Sequence, residues 1–340
     1  MSENVTMSDV ARRAGVTRAT VSFVINQRSK DQRISSSTQK KVLAAIESLN
    51  YRVNAAAQST SRGRSFGIGV MAPGGSRLST AWSEQVEGIH RAADARGYHV
   101  VYVGHNEPRS DTVSTPKMLQ QNLVDGVIFL ISTADVDGMD SAIHRYHIPT
   151  VWIQRRRKFD AIWLDEAAFI KESVAHLLAQ GHQRITLIDS ASEADTLWSR
   201  ERRAAFEKAT CRQKATLRLV ALKSADVISE LDGLLQEPKR STAFLTGTPL
   251  FATYLLNLAH RRGLSVPQDV AVVAVASATQ LLGAIPPLTI WDNELEQLGF
   301  RAGNMLIERI EKNAKQPALM LRGQLHPAGS TVVNSGDKNA

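Results

Sequence analysis

A chain of 340 residues, 43% apolar and 22% charged, is long enough for two or three domains with true hydrophobic cores, which excludes a disordered chain and a disulfide-stapled miniprotein. No uninterrupted apolar run is long enough to cross a bilayer, and the polar start MSENVTMSDV lacks the succession of a secretory leader, so a cytoplasmic protein is expected. The lone Cys211 can form neither an intrachain disulfide nor a cysteine-rich zinc site, and reads as a small apolar filler.

The positive charge is concentrated. Residues 1–64 hold eleven Lys and Arg against four acids, so this short segment carries nearly all of the chain's net charge of +8. Lys and Arg gathered this way suit a polyanionic partner, because neutralising phosphates releases condensed counterions. Within the segment, Thr6 followed by Asp9 reads as a variant capping box opening a helix with apolar Val10, Ala11 and Ala14. Gly15 ends that helix, Val16 fills the corner, and Thr17 caps a second helix starting at Arg18. Two short helices across a tight glycine turn predict a helix-turn-helix. Val21, Val24 and Ile25 face its core, leaving Arg18, Ala19, Ser22, Phe23 and Asn26 on the outer face, where side chains near a helix N-terminus reach base edges in a major groove. For Phe23, packing on a neighbouring helix is an equal alternative. A third helix is expected after Ser35, with Val42, Leu43, Ile46 and Leu49 at helical spacing and Lys40 and Lys41 on its rim. Asn54 and three alanines then favour a very short helix that orders only when packed, and residues 59–65 read as a linker.

The segments TMSDVARRAGVTRATVSFVIN and ISSSTQKKVLAAIESLNYRVNAAAQS closely resemble the headpiece and hinge of the LacI/GalR family of bacterial transcriptional regulators. The resemblance implies a homodimer reading a near-palindromic double-stranded operator, with DNA contacts also at Thr6, Thr17, Thr20, Arg33, Tyr51, Asn54, Ala57 and Thr60. In that family a hinge leucine wedges between base steps in the minor groove. Here Thr60 stands at that position and Val53 replaces the usual proline.

Beyond residue 65, apolar runs such as FGIGVMA, HVVYVG, DGVIFLI, IPTVWIQ, RITLIDS, TAFLTG and DVAVVAVAS alternate with helical stretches, the pattern of an α/β fold. About a dozen elements exceed one sheet of usual width, so two subdomains are expected. The resemblance continues in AQGHQRI, RGLSVPQDVAVVAV and PPLT and implies a two-lobed, periplasmic-binding-protein-like core crossing over near residues 161, 290 and 320. The expected organisation is a headpiece at 5–50 (motif 7–26), hinge and linker at 51–64, a first subdomain at 65–160 with 291–319, and a second at 161–290 with 320–334 serving effector binding and dimerisation. Helix 82–96 of the first lobe is also expected to contribute to the dimer, and the lack of a heptad tail after Gly323 favours a dimer over a tetramer.

Ligands of open α/β sheets bind beyond the carboxyl ends of the strands, so the cleft between the lobes is the expected pocket. By the resemblance, Gln154, Arg200 and Asn293 face it, and Trp82, Trp198 and Trp291 lie near its expected edges, where they can stack on a ligand, although core packing is the commoner fate of any one tryptophan. Many relatives carry sugar-binding Asn-Asp and Gly-aromatic-Asp-Asp strings where this chain has Thr248-Pro249 and Ala274-Val275-Ala276-Ser277. Each hydroxyl left without its acceptor costs about 1–3 kcal/mol, so the expected effector is a small molecule other than a typical hexose. Three readings stay open: a less hydroxylated or anionic ligand held by Arg200 and apolar walls, a different pose, or no small effector.

Other signals are weak. Gly67-Ile68-Gly69-Val70-Met71-Ala72 fits a dinucleotide string but lies inside a strand, and no acidic residue closes the next one. The run 155–158, Arg-Arg-Arg-Lys, reads as a solvated loop, and His176 and His182 as helix-end residues favoured by the dipole. His144 and His147 have no third metal ligand nearby, and no nucleophile elbow, phosphate loop or HExxH string occurs. No catalytic residue, cofactor, metal or membrane partner is expected. The sequence therefore reads as a headpiece of helices followed by a two-lobed α/β core in a ligand-responsive repressor. The alternative is a soluble α/β ligand-binding protein or enzyme with an accessory basic module.

Overall fold

The structure, a computed structural model, describes residues 5–25, 32–52, 63–73, 80–105, 121, 123–130, 143–191, 194, 196–210, 216–222, 226–281 and 283–332. The chain divides into two units, Met1–Ser65 and Phe66–Ala340.

Among the described residues, the first unit holds three helices: α1 (Met7–Ala14), α2 (Arg18–Ile25) and α3 (Ser36–Ser48). The capping box at α1 is complete. The Thr6 amide donates to Asp9 Oδ2 at 2.9 Å, and the Asp9 amide donates back to Thr6 Oγ1 at 3.4 Å. Gly15 stops α1 in the left-handed region at φ 66°, and the Val16 amide reaches back to Ala11 O at 3.0 Å. A Cβ on Gly15 would meet nothing within 4 Å, so only the backbone conformation demands glycine there. Thr17 caps α2 by accepting from the Thr20 amide at 3.2 Å, and Ser35 caps α3 by accepting from the Thr38 amide at 3.2 Å. Val10, Ala11, Val21, Val24, Val42 and Ala45 close the small core. Leu43, expected on the inner face of α3, is 56% exposed, because the helix turns Val42 and Ala45 inward instead.

Among the described residues, the second unit contains two six-stranded sheets. The first is built from β1 (Gly67–Pro73), β2 (His99–His105), β3 (Gly126–Phe129), β4 (Thr150–Ile153), β5 (Ala161–Leu164) and β11 (Leu319–Leu321), in the order β11-β5-β4-β3-β1-β2 and parallel throughout. Helices α4 (Thr80–Asp94) and α9 (Leu295–Lys312) pack with it, and Ile68, Val70, Ile128, Val151, Leu298 and Leu306 are in its core. The two helices touch backbone to backbone: a Cβ on Gly88 would stand 1.9 Å from Glu296 O, and one on Gly299 1.9 Å from Gln85 O.

The second sheet uses β6 (Arg184–Ser190), β7 (Thr216–Leu222), β8 (Ala243–Thr246), β9 (Ala271–Ala276), β10 (Thr289–Asp292) and β12 (Gln324–His326), in the order β12-β10-β9-β8-β6-β7. Among the described strands of this sheet, only the β10–β12 pair is antiparallel. Helices α5 (Glu166–Ala179), α6 (Leu197–Thr210), α7 (Val227–Gln236) and α8 (Pro249–Arg261) supply apolar faces to its two clusters.

The changes of sheet fall after Leu164, Asp292 and Leu321, a few residues later than 161, 290 and 320. Residues 161–164 and 320–321 therefore belong to the first sheet, and Trp291 and Asp292 to the second. The short strands AIWL and TIWD cause the shift, since four residues carry too little periodicity to be told from a linker. The string 67–72 is a strand buried in the first sheet.

Candidate nucleic-acid interface and effector cleft

On the headpiece, Arg18 and Ala19 are exposed at the first two positions of α2, while Val21 and Val24 are buried beneath them. Ser22 and Phe23 are half-buried. Thr17 is exposed, with its hydroxyl 2.9 Å from that of half-buried Thr20. Thr6 is exposed but its hydroxyl donates to Asp9 Oδ2 at 2.6 Å, which commits it to the cap. That bond, together with Arg12, holds the Asp9 carboxyl below its ordinary pKa. Arg33 is exposed on a left-handed backbone at φ 53°. Tyr51 packs on the headpiece core. Asn26, Asn54, Ala57 and Thr60 lie outside the described residues, as does the expected hinge helix. Exposed Arg12, Arg13, Lys40, Lys41 and Arg52 complete a basic surface on the described part of the headpiece.

In the core unit, a buried polar cluster sits at the carboxyl ends of β6 and β8. Ser199, Arg202 and Phe206 are spaced to turn inward together from α6. Arg202, only 4% exposed, donates from Nε to Glu166 Oε2 at 2.7 Å, from Nη2 to Glu166 Oε1 at 3.3 Å and from Nη1 to Gly247 O at 3.0 Å. Its Nη1 also stands 3.8 Å from Asp189 Oδ1, and Asp189 Oδ2 accepts from Ser199 Oγ at 2.5 Å. Burial pushes the Glu166 carboxyl up in pKa, and the two-pronged guanidinium pulls it back. Gly247 is part of this arrangement, because a Cβ there would stand 2.5 Å from Asp189 Oδ1 and 2.9 Å from Arg202 Nη1.

Arg200, the arginine singled out from the sequence, is exposed on the other side of α6, and no ion pair holds it among the described residues. Arg202, Glu166, Asp189, Ser199 and Gly247 were missed. Helical spacing was the available signal: Phe206 is apolar, and four residues back on the same face stands Arg202.

The other expected cleft residues divide. Asn293, 8% exposed just after β10, has a buried Oδ1 with no hydrogen-bond partner, an acceptor without a donor. Gln154 follows β4 at φ 58°. Its Oε1 accepts from the Leu164 amide at 3.1 Å, leaving the side-chain NH2 as donor. Trp82 and Trp198 are half-buried near the starts of α4 and α6, and Ala276 is fully buried at the end of β9. Thr248 is the N-cap of α8, and its hydroxyl accepts from the Phe251 amide at 3.5 Å. Trp291 is a correction. It is fully buried in the second-lobe core against Phe169 at 5.8 Å, with Nε1 donating to Glu172 Oε2 at 3.0 Å, because its strand turns it into the sheet's helix-covered face.

Two further expectations change. The run 155–158 is tied down by aromatic rings, with Arg155 and Arg157 over Trp152 at 4.9 and 4.4 Å and Arg156 bonded to Glu201 at 2.6 Å. His176 and His182 face Thr331 and Thr242 at 2.7 and 3.1 Å, and burial lowers both pKa values, outweighing any helix-end preference for charge.

Residues 6–54 match the family model described as bacterial regulatory proteins, lacI family, and residues 174–331 match a periplasmic binding protein-like domain. The HTH-type transcriptional repressor PurR of Erwinia tasmaniensis is 30% identical over 323 residues, covering 92% of each chain. The ribose operon repressor of Escherichia coli K12 is 29% identical over 335 residues, covering 94% of this chain and 99% of that protein. Among solved structures, the Lac repressor dimer bound to operator and the anti-inducer ONPF superposes with a TM-score of 0.80 at 26% identity, covering 97% of this chain and 100% of that one. This chain belongs to the LacI family and is a DNA-binding transcriptional repressor with a periplasmic-binding-protein-like core.

Proposed function

We propose that the protein acts in the cytoplasm as a homodimer, that α2 of each headpiece reads one half of a near-palindromic operator, and that a small molecule in the cleft between the lobes sets operator affinity. The observation that carries the reading is the pairing, on one short helix, of buried Val21 and Val24 with exposed Arg18 and Ala19 at its N-terminus. Arg18 is assigned to guanine or phosphate, Ala19 and Phe23 to thymine methyls, and Lys40 and Lys41 to backbone phosphates. In the cleft, Asn293 Oδ1 and the Gln154 NH2 offer one acceptor and one donor to a ligand, with Trp82 and Trp198 as flat walls. Arg202 is matched by Glu166 and Asp189, so its charge is already answered within the protein. Together with Thr248 spent as a cap, this favours a ligand that is neither a strong anion nor a standard hexose.

Regulation then follows from linkage. A ligand that prefers one closure of the lobes shifts the dimer toward the geometry belonging to that closure, and operator binding alters ligand affinity by the same factor. A salt titration on selected operator duplex tests the DNA arm. Log affinity falls linearly with log salt, by about 0.9 per phosphate neutralised, and the cognate duplex keeps its advantage over scrambled duplex. Weak, sequence-blind association would overturn the reading.

A further inference from the structure

In each lobe the first strand is followed by a helix, β1 by α4 and β6 by α6, and in each helix the fifth residue is a glutamate: Glu84 in α4 and Glu201 in α6. Each glutamate reaches across the cleft to the loop after the fourth strand of the opposite lobe. Glu84 Oε1 accepts from Ser277 Oγ and from Thr279 Oγ1, both at 2.6 Å, just beyond β9. Glu201 Oε1 accepts from Arg156 Nε at 2.6 Å, just beyond β4. Thr279 and Arg156 occupy the same place in their lobes, three residues after the strand ends. Exchanging the two lobes in the strand order therefore carries one contact onto the other.

In each sheet the two strands involved are separated by one other, β3 between β1 and β4, and β8 between β6 and β9. At about 4.8 Å per strand, the contacts spring from points roughly 10 Å apart along each sheet. They also run as crossed diagonals, since each joins a strand nearer the chain crossovers in one lobe to a strand farther from them in the other. One contact would leave the lobes free to twist about it. Two crossed contacts oppose both opening and twist.

We propose that Glu84 and Glu201 are a matched pair of fasteners that hold the two lobes together across the cleft and so set its closure. They differ in chemistry. The Arg156–Glu201 fastener is an ion pair with Arg156 60% exposed, so salt screens it. The Glu84 fastener needs only an acceptor for two hydroxyls, with Ser277 buried at 8% exposure, so salt acts on it weakly. The inference concerns closure alone and holds whether or not the operator and effector assignments above do.

Amide hydrogen exchange on the full-length protein without ligand tests it, because the readout separates opening of the cleft from a local contact. Glu84→Ala is expected to speed exchange about two- to fivefold at the far fastener, residues 154–158 and 197–201, as well as at 277–281. Glu201→Ala is expected to do the reverse, with the same reach. Glu84→Gln keeps the acceptor and stays near wild type, whereas Glu201→Gln loses the charge and behaves like Glu201→Ala. Raising salt from about 0.1 to about 1 M, which shortens the Debye length from about 10 to about 3 Å, reproduces Glu201→Ala in the wild type and changes nothing in Glu201→Ala itself. If each variant alters exchange only at its own contact, the pair does not govern closure and the proposal is overturned.

Discussion

Arg202 and Glu166 form a two-pronged ion pair with both side chains withdrawn from water, 5% and 2% exposed, at the point where α5 and α6 meet the strand ends of the second lobe. A second carboxylate, Asp189, lies against the same guanidinium with none of its surface exposed. Removing the cation therefore strands two buried anions, whereas removing Glu166 leaves Asp189 to answer the charge. Arg202→Ala is expected to lower unfolding free energy by about 3–5 kcal/mol and Glu166→Gln by less, measured by urea denaturation. Equal losses would show that Asp189 does not share the charge.

Arg18 stands at the exposed N-terminal turn of α2. Arg18→Ala is expected to cost about 1–3 kcal/mol on operator duplex and to narrow the gap between cognate and scrambled sequence. Lys40→Ala, on the rim of α3, is expected to weaken both duplexes alike and to reduce the salt slope by about one. Fluorescence anisotropy on the two duplexes separates these outcomes. Unchanged discrimination in Arg18→Ala would remove its assigned role.

Acid sensitivity follows from the histidines. Burial holds the folded-state pKa of His176 below 6.5, and burial first, then repulsion from His176, does the same for His182. Between the folded value and 6.5 the unfolded chain binds more protons than the folded one, so stability rises with pH there and is lost as pH falls through that window. Thermal melting from neutral pH down through pH 6.5 is expected to show a falling Tm in the wild type. His176→Gln combined with His182→Gln is expected to flatten that fall.

The chemistry at the strand ends argues against a hexose. Thr248 is used as a helix cap, Ala276 is apolar and buried, and the Ser277 hydroxyl is engaged by Glu84. Simple hexoses at millimolar concentration are expected to leave tryptophan emission and Tm unchanged. A clear shift with any one of them would show that other groups in the cleft accept sugar hydroxyls.

The headpiece was legible residue by residue because its signals are local. The Thr6–Asp9 box, the Gly15 stop and the Thr17 and Ser35 caps all act over three or four residues. Leu43 was misplaced because its spacing fits the apolar stripe nearly as well as that of Ala45, and only the packing of α1 and α2 chose the smaller residue. In the core, long apolar runs exposed seven strands. The short β5 and β10, and the partly exposed edge strand β7, did not separate from their surroundings. Trp291 looked like a cleft residue because aromatic side chains serve cores and ligand walls equally well.

By itself the amino-acid sequence determined the helix-turn-helix, its outward basic face, the α/β alternation of the core and the family. Caps, turns and hydrophobic periods are settled between near neighbours, so they can be read without knowing the fold. Only the tertiary structure decided that Arg202 turns inward while Arg200 faces water, that Trp291 is core, and that Glu84 meets Ser277 across 193 positions of chain. These depend on which strands lie side by side and which helix face they cover, and pairing between distant segments leaves no local trace in either partner.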